Sequence, residues 1–187
     1  MNKRSFLATG LLAVLATACT TTTSSSGSPA AKRTAIDAEV DSALSKLYAQ
    51  VPGSREMVGK SRGVLVFPSV VSAGFVVGGS YGQGALRTGG KTEAYYSTTA
   101  ASAGLLAGAE SKAVYLLFMN QAALDKFRAS KGWTAGADAS VTMLKVGASA
   151  SVDTQTAQQP IVGYALSNAG LMANLSIDGT KINKLDL

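Results

Sequence analysis

The chain is 187 residues long with 17 basic and 11 acidic side chains, a formal charge of +6, and it is 47% apolar but only 6% aromatic. It contains no histidine, which excludes histidine-based catalytic triads, histidine-ligated zinc proteases and two-histidine iron sites. The basic excess is modest and scattered, as on a solvated exterior or a surface that meets anionic lipid.

The N-terminus has the parts of an export signal: basic Lys3 and Arg4, an apolar run from Phe6 to Leu15, and small residues Ala16, Thr17 and Ala18. The run is too short to cross a bilayer as a helix. The single cysteine, Cys19, follows at once. Its surroundings resemble the lipobox of bacterial lipoproteins, with Ala16 where leucine is usual; residues 1–18 are then a lipoprotein signal peptide and Cys19 carries the fatty-acyl (palmitate-type) anchor. The alternative is an ordinary secretory signal cut after Ala18, which would leave an unpaired thiol in an oxidising compartment. Thr20 in place of aspartate favours the outer membrane of a bacterial cell envelope, with the face left open. Loss of Lys3 and Arg4 lowers the charge from +6 to +4.

Residues 19–33 read as the lipidated cysteine and a flexible Thr/Ser-rich tether. Residues 34–187, roughly 155 in number, then form one domain. Thr34 to Val51 places Ile36, Val40, Leu44, Leu47, Tyr48 and Val51 at helical spacing, with Thr34 as N-cap and Pro52-Gly53 as the stop. A short helix follows from Ser54 through Met57.

From Gly63 the period falls toward two. Strands are predicted from Gly63 to near Pro68, through the alternation Ala73, Phe75, Val77 and Gly79, and over Gly82–Arg87, Lys91–Ser97, Ser102–Ala109 and Lys112–Met119. A helix near 120–129 starts at Asn120. Ala135, Ala137, Ala139 and Val141, then Val146, Ala148, Ala150 and Val152, predict a hairpin about Leu144. Ile161–Leu166, Leu171–Ile177 and Lys181–Leu185 complete about ten short strands. The expected fold is α+β and β-rich: a curled antiparallel sheet or barrel-like domain with an N-terminal amphipathic helix.

Gly78-Gly79-Ser80-Tyr81-Gly82 fits G-x-S-x-G, but a nucleophile elbow needs a following helix and a base, and neither is present. Glycines at 74, 78, 79, 82 and 84 instead permit close backbone approach and a sharp sheet bend. Trp133 is expected in a core of small residues, with a membrane interface as the alternative. Tyr95 and Tyr96 should point to opposite faces, one core and one exposed. Asn174-Leu175-Ser176 forms a sequon within a predicted strand and is set aside. Asp138, Asp153 and Asp178 show no acid/base pairing. No catalytic residues, metal, cofactor or nucleic-acid partner are therefore expected.

The stretch from Gly63 through Pro68, Ala73-Gly74-Phe75 and Gly82 to Leu86 resembles the opening of the SYLF domain, also called the Ysc84 actin-binding or lipid-binding domain. Leu117 to Phe127, Gly132-Trp133 to Val141, and Gly170-Leu171 to Ile182 extend the resemblance over about Ile36 to Ile182. The resemblance implies a β-rich domain that binds phosphoinositides or other anionic phospholipids, with actin binding in fungal members and envelope lipoproteins among bacterial ones. It implies a membrane-association helix on Ile36, Val40, Leu44, Leu47 and Tyr48. Ser72 stands where many relatives have a lysine. Lys60, Arg62, Arg87, Lys91 and Lys112 flank the glycine-rich strands and are the candidate lipid-binding cations. The alternative function is an envelope interaction protein that presents a β surface to a protein partner, such as host actin or another host component.

Overall fold

The computed structural model describes residues 27–74, 77–103, 108–144, 158–167, 170–171 and 177–187. The export signal, Cys19, Phe75, the second half of the predicted 135–152 hairpin, Asp153 and the sequon lie outside these residues.

Three helices and nine strands make up the described structure: α1 Pro29–Gln50, α2 Ser54–Lys60, β1 Gly63–Gly74, β2 Val77–Thr88, β3 Lys91–Ala103, β4 Gly108–Phe118, α3 Gln121–Ala129, β5 Gly132–Thr134, β6 Thr142–Met143, β7 Ile161–Ser167, β8 Gly170–Leu171 and β9 Lys181–Leu185. The strands form one sheet in the order β5-β9-β3-β2-β1-β4-β7-β6, with β8 on β7. All pairs are antiparallel except β6–β7, which is parallel, so the sheet is mixed. It curls strongly into a half-barrel, and the expected α+β, strand-rich class holds.

The central strands are buried on both faces. On one, α1 and α2 bring Ile36, Val40, Leu47 and Met57 onto Val64, Val66, Tyr115, Leu117 and Tyr164. On the other, α3 brings Leu124 and Phe127 onto Leu65, Leu86, Leu116, Phe118 and Ile161. Strict alternation of Val64 and Val66 against Leu65 and Phe67 sends successive side chains into separate cores. Phe127 is central to the second core, with ring centroids 4.9 Å from Phe118, 5.0 Å from Tyr96 and 5.7 Å, edge-on, from Trp133. Trp133 is thus a core residue, 2% exposed. Tyr96 also enters this core, whereas Tyr95 is half-buried on the α1 face.

Several elements differ from the sequence reading. Helix α1 starts five residues early, at Pro29; Ser28 caps it by accepting from the Ala31 N–H, and Thr34 instead donates to the Ala30 carbonyl within the helix. Proline at the first helical position costs no hydrogen bond, since that N–H has no partner in any helix. The 91–97 strand runs on to Ala103 as β3, the 112–119 strand begins earlier, at Gly108, as β4, so that 102–109 is not a separate strand, and the 63–68 strand runs on to Gly74. Ala135 to Val141 is not a strand: Gly136 takes φ +83° and the chain turns, with an isolated bridge between Ala135 and Ala139.

The continuity of β1 through Pro68 rests on a bulge. Pairing with both neighbours shifts register there, between Val66 and Ser69 on the β2 side and between Phe67 and Val70 on the β4 side. Proline has no N–H to give a ladder, so the bulge is where a central strand tolerates it. The displaced backbone presses on β2, where a Cβ on Gly84 would lie 1.9 Å from the Val66 carbonyl oxygen and one on Gly82 would lie 2.8 Å from that of Ser69. The extra residue also flips the side-chain parity: Val70 joins the α3 side, and Ser69, Val71 and Ala73 fall on the α1 side.

Two outcomes follow from this packing. Gly84→Ala should destabilise the fold by about 3 kcal/mol or abolish it, read as a lowered chemical-denaturation midpoint, while Gly79→Ala, whose Cβ meets nothing closer than 3.7 Å, stays near wild type. Tyr115 is fully buried and donates to the Ala43 carbonyl at 2.8 Å, and burial pushes its hydroxyl up to about 12. The folded state holds that proton more tightly than the unfolded chain, so stability is complete below about pH 10 and falls between about pH 10 and 12. Tyr115→Phe should lose about 1 kcal/mol at neutral pH but flatten that alkaline fall, measured by denaturation at pH 7 and pH 11.

Candidate functional site

Four strands outrun their neighbours at one end of the sheet. β9 covers β3 only from Tyr95 to Thr99, and β7 covers β4 only from Ala113 to Phe118. Beyond the Pro68 bulge, β1 from Ser69, β2 to Gln83, β3 from Thr98 and β4 to Lys112 form an overhang. Directly paired residues share a face, and Val71 pairs with Tyr81 and Ser111, Ala73 with Gly79 and Ala109, and Tyr81 with Thr99. This α1-side face holds the three large hydrophobic residues exposed among those described, Val71 at 48%, Val77 at 74% and Tyr81 at 50%. Its other members are Ser, Thr, Ala, Gly and Gln83, which donates to the Tyr81 hydroxyl at 2.7 Å, so the face carries no charge. Isolated exposed valines are ordinary on a protein surface; three apolar side chains on one uncharged sheet face make it the candidate contact surface.

Helix α1 lies beside this face and is fixed by a polar clasp. Asp37 accepts from Thr92 Oγ1 at 2.6 Å and from the Tyr95 hydroxyl at 2.8 Å. Arg87 Nη2 reaches Asp41 at 2.9 Å, Asp37 Oδ1 at 3.5 Å and the Asp37 carbonyl at 3.3 Å. Burial and the Asp37 carboxylate raise the Tyr95 hydroxyl above its ordinary value. The helix is therefore tied to the β2–β3 end of the sheet by charge as well as by its apolar stripe.

Four of the five sequence-predicted cations lie at that clasp end, opposite the overhang. Lys60 and Arg62 precede β1, Val64 pairs with Arg87, and Lys91 pairs with Thr88. Among them Lys60 pairs with Glu56 at 2.6 Å, and Arg87, 13% exposed, is consumed by the clasp. Lys112 pairs with Val70, six residues farther along β1 or about 20 Å away. The five do not converge on one rim. Of the helix positions, Ile36, Val40 and Leu47 are buried in the domain and Leu44 and Tyr48 are half-buried, with Arg55 stacked 4.4 Å over the Tyr48 ring. Ile36, Val40, Leu44 and Leu47 pack into the core between α1 and the sheet.

Ser80 lies within β2, which continues as strand to Thr88, so the elbow geometry is lacking. Asp138 accepts from the Thr134 N–H at 2.6 Å and holds a turn. Among the described residues no group of three or more His, Cys, Asp or Glu could hold a metal ion, and no helix is long and apolar enough to cross a membrane.

The overhang was not singled out from the sequence. Its signal was available in the charge-free run from Phe67 to Leu86, but parity cannot be assigned across Pro68 without knowing the bulge.

Residues 99–186 match the sequence model of the Ysc84 family, described as Las17-binding protein actin regulator. Over these residues the chain is similar to the Ysc84 (SYLF) family, and the stretches Leu117–Phe127, Gly132–Val141 and Gly170–Ile182 that carried the resemblance lie within the match. The match begins in β3, and β1 and β2, which precede it, are central strands of the same sheet. No curated protein matches the chain.

Removing the clasp's acceptor tests how firmly α1 is held. Asp37→Ala leaves Thr92, Tyr95 and Arg87 short of a partner in a partly buried site and should cost about 2–3 kcal/mol in urea denaturation, against under 1 kcal/mol for the exposed Glu39→Ala.

Proposed function

We propose that the chain is a noncatalytic lipoprotein, anchored by Cys19 in the outer membrane of a cell envelope, whose SYLF domain binds anionic phospholipid surfaces. The observation that supports this most is the overhang: Val71, Val77 and Tyr81 stand exposed on a face without charge. An apolar face of this kind can enter the headgroup region, where tyrosine is at home because one end of its ring is polar. The excess of basic side chains adds long-range attraction to anionic lipid. This assigns the membrane contact to the sheet rather than to α1, whose apolar stripe is occupied by the domain core.

The family description names an actin regulator, which favours a protein partner as the second reading. An extended β surface would suit it, and the two readings separate in a protein-free assay.

Flotation of the unlipidated domain with vesicles of phosphatidylglycerol and phosphatidylcholine should show binding at low salt. Val71→Glu with Tyr81→Glu should reduce the bound fraction at least ten-fold without lowering the melting temperature, since both side chains are exposed. No flotation of the wild-type domain would sink the lipid reading, and co-sedimentation with actin or capture of an envelope protein would then replace it. Loss of flotation on charge reversal of Lys60, Arg62 and Lys91, with the overhang variant unaffected, would move the contact to the clasp end.

A further inference from the structure

Between the first turns of α1 and the overhang runs an open groove of about 770 Å³. Its floor is Val71, Ala73, Gly79 and Tyr81, and its helical wall is Lys32, Ala35 and Ile36. We propose that this groove takes one acyl chain of a single anionic phospholipid, with the phosphate held at Lys32. The proposal rests on the lipid-binding reading for the class of ligand but makes a separate claim, capture of one molecule rather than contact with a surface.

Three features select this occupant. The volume lies within the range of small-molecule sites, and the floor is flat because position 79 has no side chain. The only charged side chains in the lining are Lys32 and Glu39, seven residues apart on the helix and so about 10 Å apart along it. Lys32 has no side-chain partner among the described residues, whereas Glu39 stands farther into the body of the domain, where Ser69 and Gln83 line the groove. An anionic head is therefore favoured at the Lys32 end and repelled from the other. A ligand that matches this pattern has one anionic group joined to an apolar chain. A free phosphate would leave the floor unused, and an uncharged lipid would leave Lys32 unpaired.

The groove can be filled without disturbing the fold. A Cβ at Gly79 meets only the Ala100 carbonyl oxygen, at 3.7 Å, and the position lies in a strand, so Gly79→Val suits the backbone. Native mass spectrometry and titration calorimetry of the unlipidated domain with dihexanoyl phosphatidylglycerol, kept below its micelle concentration, should show one bound molecule. Lys32→Gln should weaken it about five-fold, the loss expected of one lysine near an anionic group. Ala35→Trp, which fills the groove from its exposed helical wall, should abolish monomer binding while vesicle flotation persists, because no residue of the overhang is changed. Dihexanoyl phosphatidylcholine should bind more weakly than phosphatidylglycerol by a similar factor.

Absence of a one-to-one complex, or monomer binding unchanged in the filled variant, would overturn the groove assignment. So would concentration-dependent dimerisation without lipid that Gly79→Val removes, since a second copy would then be the occupant. Monomer binding in a domain that fails to float with vesicles would retire surface docking and leave the groove standing.

Discussion

The bulge at Pro68 is the constraint on which the rest of this molecule depends. A proline in a central strand removes a ladder hydrogen bond, and the chain absorbs the loss by inserting a residue at that point. The displaced carbonyls of Val66 and Ser69 then occupy space that any side chain at Gly84 or Gly82 would need. Proline on one strand and glycines on its neighbour thus form one device. It bends the sheet, and it reverses which side chains face the helix. Below the bulge both faces are buried and β1 is apolar at every position from Val64 to Phe67; above it the strands leave the core and one face meets solvent. Core and contact surface are two ends of the same strands, and the bulge divides them.

The position of α1 follows from the same geometry. Its stripe of Ile36, Val40, Ala43 and Leu47 covers the sheet below the bulge, and the Asp37–Arg87 clasp sets its rotation. Its first two turns carry no buried residue, because they project past the core and alongside the overhang. An amphipathic helix in isolation is equally suited to a membrane surface or to its own domain. Here the apolar area is already spent on the core, and detaching the helix would expose those four residues and leave Arg87 without its carboxylates. Moving it onto a bilayer would have to recover all of that, whereas the overhang is exposed without any rearrangement.

Much of the fold was legible in the sequence, and the exceptions have physical causes. Period-two alternation placed β1, β4, β7 and β9, Asn120 marked the start of α3, and the clustered glycines announced a bend. The strands came out short because Pro68 reads as an end when the residues alone are considered; that a bulge carries the strand through it depends on Gly84 being across the ladder. The small-residue alternation from Ala135 to Val141 read as a strand, but Gly136 adopts a left-handed conformation and packs against Asp178, a contact more than forty residues distant. Side-chain direction was the least legible property. The basic residues flanking the glycine-rich strands looked able to converge, yet sequence proximity to a strand does not say which end of the sheet it reaches. Arg87 also proved to be an internal partner, because Asp37 and Asp41, one helical turn apart, meet it across the layer.

A lipid anchor at Cys19 and a lipid-contacting domain would be redundant if both served only to hold the protein at a membrane, since two acyl chains already suffice for that. The proposed groove would give the domain a different task. Eight residues lie between Cys19 and Ser28, and the nine steps from one to the other, fully extended, reach only about 30 Å. An anchored domain is confined to that layer, where a weak site sees lipid at high effective concentration and needs little intrinsic affinity. Weak affinity is what an open groove with one unpaired lysine and three exposed apolar side chains can supply. On the proposed reading the anchor would provide residence and the sheet selection among the lipids within reach, a division that would let the domain release its ligand without leaving the membrane.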